Sequence, residues 1–172
     1  IVKGIHENEF THVIREDPNQ KGLLYAGTER GVYVSFNDGE NWQALQNNLP
    51  VTPIHDLAIQ AREKDLVAAT HGRSFWVLDD LTPLHQLNGQ LAKSDVILYQ
   101  PRENYRTGGY TFDRPGIALG KNPPNGVVIQ YYLKNKPKEK DTLKLEILEA
   151  DGKLIKSFLG KKEKKGGGRG GD

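Results

Sequence analysis

His55-Asp56 and His71-Gly72-Arg73, with Glu29-Arg30 upstream, are the groupings in this sequence best equipped for chemistry. A guanidinium can hold a carboxylate or a sugar through parallel hydrogen bonds, and imidazoles beside it can serve as hydrogen-bond partners or proton carriers. Arg30, His55, Asp56, His71 and Arg73 are therefore the candidate ligand-binding residues. The competing account is that Asp56, His71 and Arg73 tie neighbouring structural units together. Structural ion-pair networks gather the same side chains, and this second account is the favoured one.

Other groupings carry less. Asp79-Asp80 could form an acid pair, but between an apolar run and Leu81-Thr82-Pro83 these carboxylates are better placed to cap a turn. Asp38 and Glu40 also invite an acid-pair or calcium reading; a calcium loop needs roughly six or more oxygen ligands, and a solvated turn is the better account. The histidines His6, His12, His55, His71 and His85 form no i, i+4 pair and no His-Glu motif, so no metal site is expected. Glycoside hydrolysis needs two carboxylates flanking the bond, or a tyrosine nucleophile with an arginine cluster, and the arginines here are scattered. Gly108-Gly109, Gly116 and Gly120 do not join a strand to a helix with phosphate-binding spacing. No catalytic residue and no cofactor is assigned.

Composition narrows the classes further. The chain has 172 residues, 36% hydrophobic and 27% charged, with no cysteine and no methionine. Disulfides, thiolate metal sites and cysteine nucleophiles are excluded, and no apolar run approaches the roughly 18 residues of a membrane span. The net charge of +2 resides in the tail Lys161 to Asp172, KKEKKGGGRGGD, a self-repelling and glycine-rich run expected to be a flexible tail or loop. The rest of the chain is nearly neutral and offers no basic field for nucleic acid. The start at Ile1 and the lack of methionine suggest a fragment, and Ile1 to Ile5 has no signal-peptide character.

The elements that must position these side chains follow from an internal repeat. Leu24-Tyr25-Ala26-Gly27-Thr28 aligns with Leu66-Val67-Ala68-Ala69-Thr70 at an offset of 42, and Val32-Tyr33-Val34 with Phe75-Trp76-Val77 at 43. A period of about 42 residues in β-rich sequence is that of four-stranded propeller blades. Strands are expected at His12 to Arg15, Leu23 to Gly27, Gly31 to Phe36 and Trp42 to Leu45, then at Ile54 to Ile59, Leu66 to Thr70, Ser74 to Leu78 and Leu84 to Leu87. Turn formers such as Asp17-Pro18-Asn19 and Asn37-Asp38-Gly39 bound them. In such a blade the second-to-third turns and the blade connections share one end, which places Glu29-Arg30, His71 to Arg73 and Pro50 to Asp56 around one mouth.

Ser35-Phe36-Asn37-Asp38-Gly39-Glu40-Asn41-Trp42 resembles the Asp-box of neuraminidase repeats, with Asn37 where Asp is usual. An Asx side chain can bond nearby amides, Gly39 can take positive φ, and Trp42 can pack beneath the hairpin, so Ser35, Asn37, Gly39 and Trp42 are expected to form a structural clasp. With the run Ala69 to Leu84, and with Asp95 to Tyr99 and Gly120 to Gly126, the chain is similar to the carboxy-terminal portion of bacterial BNR-repeat, sortilin-like β-propeller proteins that carry a glycosyl-hydrolase-like label. That resemblance implies a secreted, periplasmic or cell-surface protein several times longer, with the remaining blades supplied by the same protein or by another chain.

The second half reads as β too. Val127 to Leu133 is apolar on both faces, Leu143, Leu145 and Ile147 alternate with charged residues, and Ala150-Asp151-Gly152-Lys153 turns the chain into Leu154 to Phe158. The expectation is an all-β chain: two terminal propeller blades in 1-88 (about 5-48 and 52-88), a linker at 89-94, part of an immunoglobulin-like β-sandwich in 95-160, and the Gly/Lys-rich segment 161-172. The expected function is non-catalytic binding or scaffolding, with a protein or carbohydrate ligand at the propeller mouth. The alternatives are a sialidase-like glycoside hydrolase with its catalytic residues mostly upstream, and assembly with a partner through the Gly/Lys segment and the sandwich edge.

Overall fold

The structure is a computed structural model that describes residues 3–87, 94–105, 126–138 and 141–160. The described chain is all-β, built from small antiparallel sheets and a single helical turn. It divides into two compact units, Ile1–Tyr132 and Leu133–Asp172.

The first unit opens with a four-stranded meander: β1 (Thr11–Glu16), β2 (Leu24–Thr28), β3 (Val32–Ser35) and β4 (Gln43–Ala44), hydrogen-bonded in that order. The β1–β2 connection turns at Asp17, whose carboxylate accepts the Asn19 amide at 2.8 Å, an Asx turn ahead of strand β2. Strand β4 is short because Trp42 leaves the ladder: its amide donates to the Lys3 carbonyl and its ring is buried.

A second meander follows, of β5 (Ile54–Gln60), β6 (Asp65–Thr70) and β7 (Phe75–Leu78). Its register repeats that of the first. Tyr25 pairs with Val34 and Val67 with Val77, and the register slips between Thr11 and Val13 in β1 and between Ile54 and Asp56 in β5. Each slip is a bulge, centred on His12 in one sheet and His55 in the other. The strand expected at Leu84 to Leu87 is instead a helical turn, α1 (Thr82–His85). Pro83 presets a helical φ in its first turn, the Asp80 carboxylate accepts the Thr82 amide at 3.1 Å, and Leu81 is fully buried. Apolar spacing at Leu84 and Leu87 suits one face of a helical turn as well as an edge strand.

The two sheets pack through one face each. Val13, Tyr25, Val32 and Val34 of the first meet Ile54, Leu57, Leu66 and Ala68 of the second, with Trp76 and Leu78 against the cluster. Gly27 lies in this seam, and a Cβ there would stand 2.8 Å from both Ile54 and Val13. Positions equivalent in the repeat have opposite burial. Val32 and Val34 are each 3% exposed, whereas their counterparts Phe75 and Val77 are 75% and 54% exposed; Leu57 is 2% exposed and its counterpart Ile14 52%. Successive sheets are thus stacked in the same sense, the inward face of one against the opposite face of the next.

The first unit ends with β8 (Val96–Leu98) paired with β9 (Tyr131–Leu133), at whose last residue the second unit begins. Of the expected strand Val127 to Leu133, Val127 and Val128 are exposed and only the last three residues form the ladder. The second unit holds a hairpin of β10 (Lys144–Leu148) and β11 (Leu154–Leu159), turned at Gly152 with φ +88°. The whole of β11 is exposed. The linker glycines Gly108, Gly109, Gly116 and Gly120 and the segment 161–172 lie outside the described residues.

Candidate functional site

One end of the stacked sheets gathers the chemically capable side chains. The turn between β2 and β3 is held by Thr28, whose Oγ accepts the amides of Arg30 and Gly31 and whose one hydroxyl hydrogen is shared between the Gly31 carbonyl at 3.1 Å and the Glu9 carboxylate at 2.9 Å. The turn between β6 and β7 is held the same way by Thr70: its Oγ accepts the Arg73 amide at 3.1 Å and donates to the Ser74 carbonyl at 2.6 Å. The second turn is one residue longer, and Gly72 takes φ +77° to accommodate it. Each turn is anchored to the strand before it in the same place: Glu29 donates its amide to the Phe10 carbonyl at 3.1 Å, and His71 to that of Pro53 at 2.9 Å. Glu29 therefore corresponds to His71, Arg30 to Arg73, His12 to His55, and Glu9 to Thr52.

The two bulges turn His12 and His55 toward these turns, and three imidazoles stand in a row. The ring centroids of His12 and His55 are 5.1 Å apart, and those of His55 and His71 5.0 Å. His12 Nε2 donates to Glu29 Oε1 at 2.7 Å. Arg30 Nε lies 3.7 Å from Glu9 Oε1, and the nearly buried Glu9 carboxylate also accepts from Thr28 Oγ at 2.9 Å and from the Tyr33 hydroxyl at 3.1 Å. Burial and the facing Glu9 charge push the Tyr33 phenol upward.

Of the five candidate residues, His55 and His71 are thus in ring contact and Arg73 sits two residues from His71 on the same turn. Arg30 occupies the matching turn of the first sheet, beside Glu9. Asp56 faces elsewhere: its carboxylate accepts from Arg15 at 2.7 Å, and Arg15 Nε donates to the Leu57 carbonyl at 3.0 Å, so this pair bridges the two sheets.

No protein-family model, curated protein or solved structure matches this chain. Its chemistry is read from its own geometry.

At the opposite turn of the first sheet, Ser35 Oγ accepts the Gly39 amide at 2.9 Å and donates to Asn37 Oδ1 at 3.0 Å. Asn37 Oδ1 also accepts the Asn41 amide at 3.0 Å, and Trp42 Nε1 donates to the Gly39 carbonyl at 3.0 Å. Asp38 and Gly39 both take positive φ. Every polar atom named here bonds within the turn, which is the arrangement of a clasp.

Asp80 also takes positive φ, its carboxylate accepts the Thr82 amide at the start of α1, and its own amide donates to Asp65 Oδ1 at 2.9 Å. Burial, with Asp65 and Asp80 nearby, pushes the Asp79 carboxyl upward, and Arg102 opposes the shift. Among the described residues no group of three His, Asp or Glu side chains could hold a metal ion, and no helix is long and apolar enough to cross a membrane.

Sequence reasoning did not single out His12, Glu9 or Thr52 for the site. The repeat offset of 42 at Leu24 and Leu66, carried upstream, sets His12 against Ile54 and Glu9 against Val51; the match of His12 with His55 and Glu9 with Thr52 needs an offset of 43, and the strand registers supply that shift. The sequence had no signal for Asp17 with His85, since nothing in either stretch points to the other.

Proposed function

We propose that this chain is a non-catalytic binding or scaffolding segment of a larger, exported β-propeller protein of the BNR/Asp-box kind, and that it engages a protein or carbohydrate ligand at the end carrying Arg30, His55, His71 and Arg73. The two meanders are two of its blades, and the β8–β9 pair and the β10–β11 hairpin belong to a following sandwich. The observation that carries the reading is the opposite burial of repeat-equivalent residues. Phe75 and Val77 are exposed on the face whose counterpart, Val32 and Val34, is buried by the next sheet. A sheet that leaves such a face open is suited to stack against a further sheet of the same kind. The clasp at Ser35 to Trp42 supports the Asp-box assignment.

Two measurements test this. In isolation the chain should associate through the open faces, and Phe75→Asp should suppress the association; a monodisperse 19.2 kDa monomer in the unsubstituted chain would overturn the blade reading. For the ligand, His71→Ala with Arg73→Ala in the protein with its neighbouring blades should abolish retention on glycan or peptide arrays with little change in melting temperature. Unchanged retention with a lowered melting temperature would make these residues structural ties instead.

A further inference from the structure

The two turns share a backbone and differ in charge. In the first repeat each cationic or donor group has an acid: His12 donates to Glu29 at 2.7 Å, and Arg30 lies 3.7 Å from Glu9. In the second repeat both acids are replaced. His71 stands where Glu29 stands in the first, and Thr52, whose Oγ donates to the His71 carbonyl at 3.2 Å, stands where Glu9 does. The backbone holding the two turns is the same, down to the Thr28 and Thr70 caps and the anchoring bonds to Phe10 and Pro53. His55 therefore faces a second imidazole, at 5.0 Å between centroids, where His12 faces a carboxylate.

Among the described residues no carboxylate lies within hydrogen-bonding distance of the His55 or His71 rings, and the Arg73 guanidinium makes no ion pair. The nearest acid in sequence, Asp56, is engaged by Arg15 and by the Leu57 amide. The other charged groups at this end, Glu29, Glu9 and Arg30, are matched within the first repeat. What is left is the His55 imidazole at its bulge and, on the exposed and well-anchored turn, the His71 imidazole and the Arg73 guanidinium, with N–H donors and no carboxylate among them.

On the strength of the ligand site proposed above, we infer that the class of ligand is carboxylate-bearing, and that its carboxylate takes on His55, His71 and Arg73 the place that Glu29 takes on His12. Imidazole and guanidinium N–H groups that donate to a carboxylate make charge-assisted hydrogen bonds, the strong class. Both an acidic sugar and an acidic peptide carry this group.

The chain's five histidines make imidazole NMR a direct reading. Trigalacturonate and tri-glutamate are each titrated into the full chain, with neutral galactotriose and tri-glutamine as controls. At least one acidic probe should shift the His55 and His71 ring signals saturably, leaving His85 unmoved; which probe does so assigns the source as sugar or peptide. His71→Glu, which rebuilds the first repeat's arrangement in the second, should weaken that binding roughly tenfold or more. Arg73→Gln, on the exposed turn, checks the result independently of any folding change, and Glu29→His should create a second responsive pair at His12. Silence of both acidic probes up to about 10 mM overturns the inference. Equal shifts from the neutral probes also overturn it while leaving the ligand site itself standing, and silence of all four removes both.

Discussion

Asp17 and His85, 68 residues apart in sequence, share a hydrogen bond of 2.9 Å between Asp17 Oδ2 and the His85 ring. The same oxygen accepts from the buried Tyr25 hydroxyl at 2.9 Å, and Asp17 Oδ1 accepts the Asn19 amide. One carboxylate thus joins the first turn of the first sheet to the helical turn that ends the second. Burial alone would push Asp17 upward; the bonds from His85, Asn19 and Tyr25 outweigh it and hold the carboxyl below its usual value of 3.8.

The pH dependence follows from that sign. A carboxyl depressed in the folded state contributes stability that is fully present above pH 3.8 and is lost as pH falls through its lower folded value. Thermal melts should show a fall in stability beginning below about pH 4, and Asp17→Asn should flatten that acid limb. At neutral pH the same variant should cost about 2 to 4 kcal/mol, because the Tyr25 hydroxyl and the His85 ring lose a charged acceptor. An Asp17→Asn protein with the parent's acid limb would show that other carboxylates govern it.

Gly27→Ala should destabilise by about 1 to 3 kcal/mol. The added methyl meets Ile54 and Val13 at 2.8 Å, and both are buried side chains with no room to retreat. Denaturant midpoints measure this. Ala69, the equivalent residue in the second sheet, lies on the open face, and Ala69→Gly should change stability by less.

Ser35→Ala removes one acceptor of the Gly39 amide and one donor to Asn37, and should cost about 1 to 2 kcal/mol. Asn37→Asp should cost less, under about 1 kcal/mol, since both short bonds of Asn37 go to its acceptor oxygen and the 3.5 Å contact from Nδ2 to Glu40 becomes an exposed contact between two carboxylates. Melting temperatures of the two variants should therefore separate clearly, and a larger loss for Asn37→Asp would contradict the clasp geometry.

Arg15 and Asp56 look like a strong inter-sheet tie at 2.7 Å, but both side chains are about half exposed. Asp56→Ala should cost less than about 1 kcal/mol, and a double-mutant cycle with Arg15 should give a coupling in the same range. Arg15→Ala should cost more than Asp56→Ala, because it also removes the bond to the Leu57 carbonyl.

Much of the fold was legible because strands of alternating residues bounded by turn formers leave a period in the sequence. The offsets of 42 and 43 reappear as matched registers, and the added residue is Gly72, in the turn where the offset changes from one value to the other. The helical turn at Thr82 was not legible, since two leucines three residues apart fit either conformation until Asp80 and Leu81 are placed. Of the site, His55 and His71 could be grouped from their positions beside turns. The partner of Asp56 could not, because Arg15 reaches it across the seam between sheets, 41 residues away.

The same-sense stacking of the two sheets has a consequence for self-association. A contact between unlike faces has no two-fold axis to close it, so copies of this chain that meet through them would add head to tail. Such growth stops only where the rotation per step completes a ring. Where it does not, the product is a filament, and Phe75 and Ile14 would lie at its two growing ends.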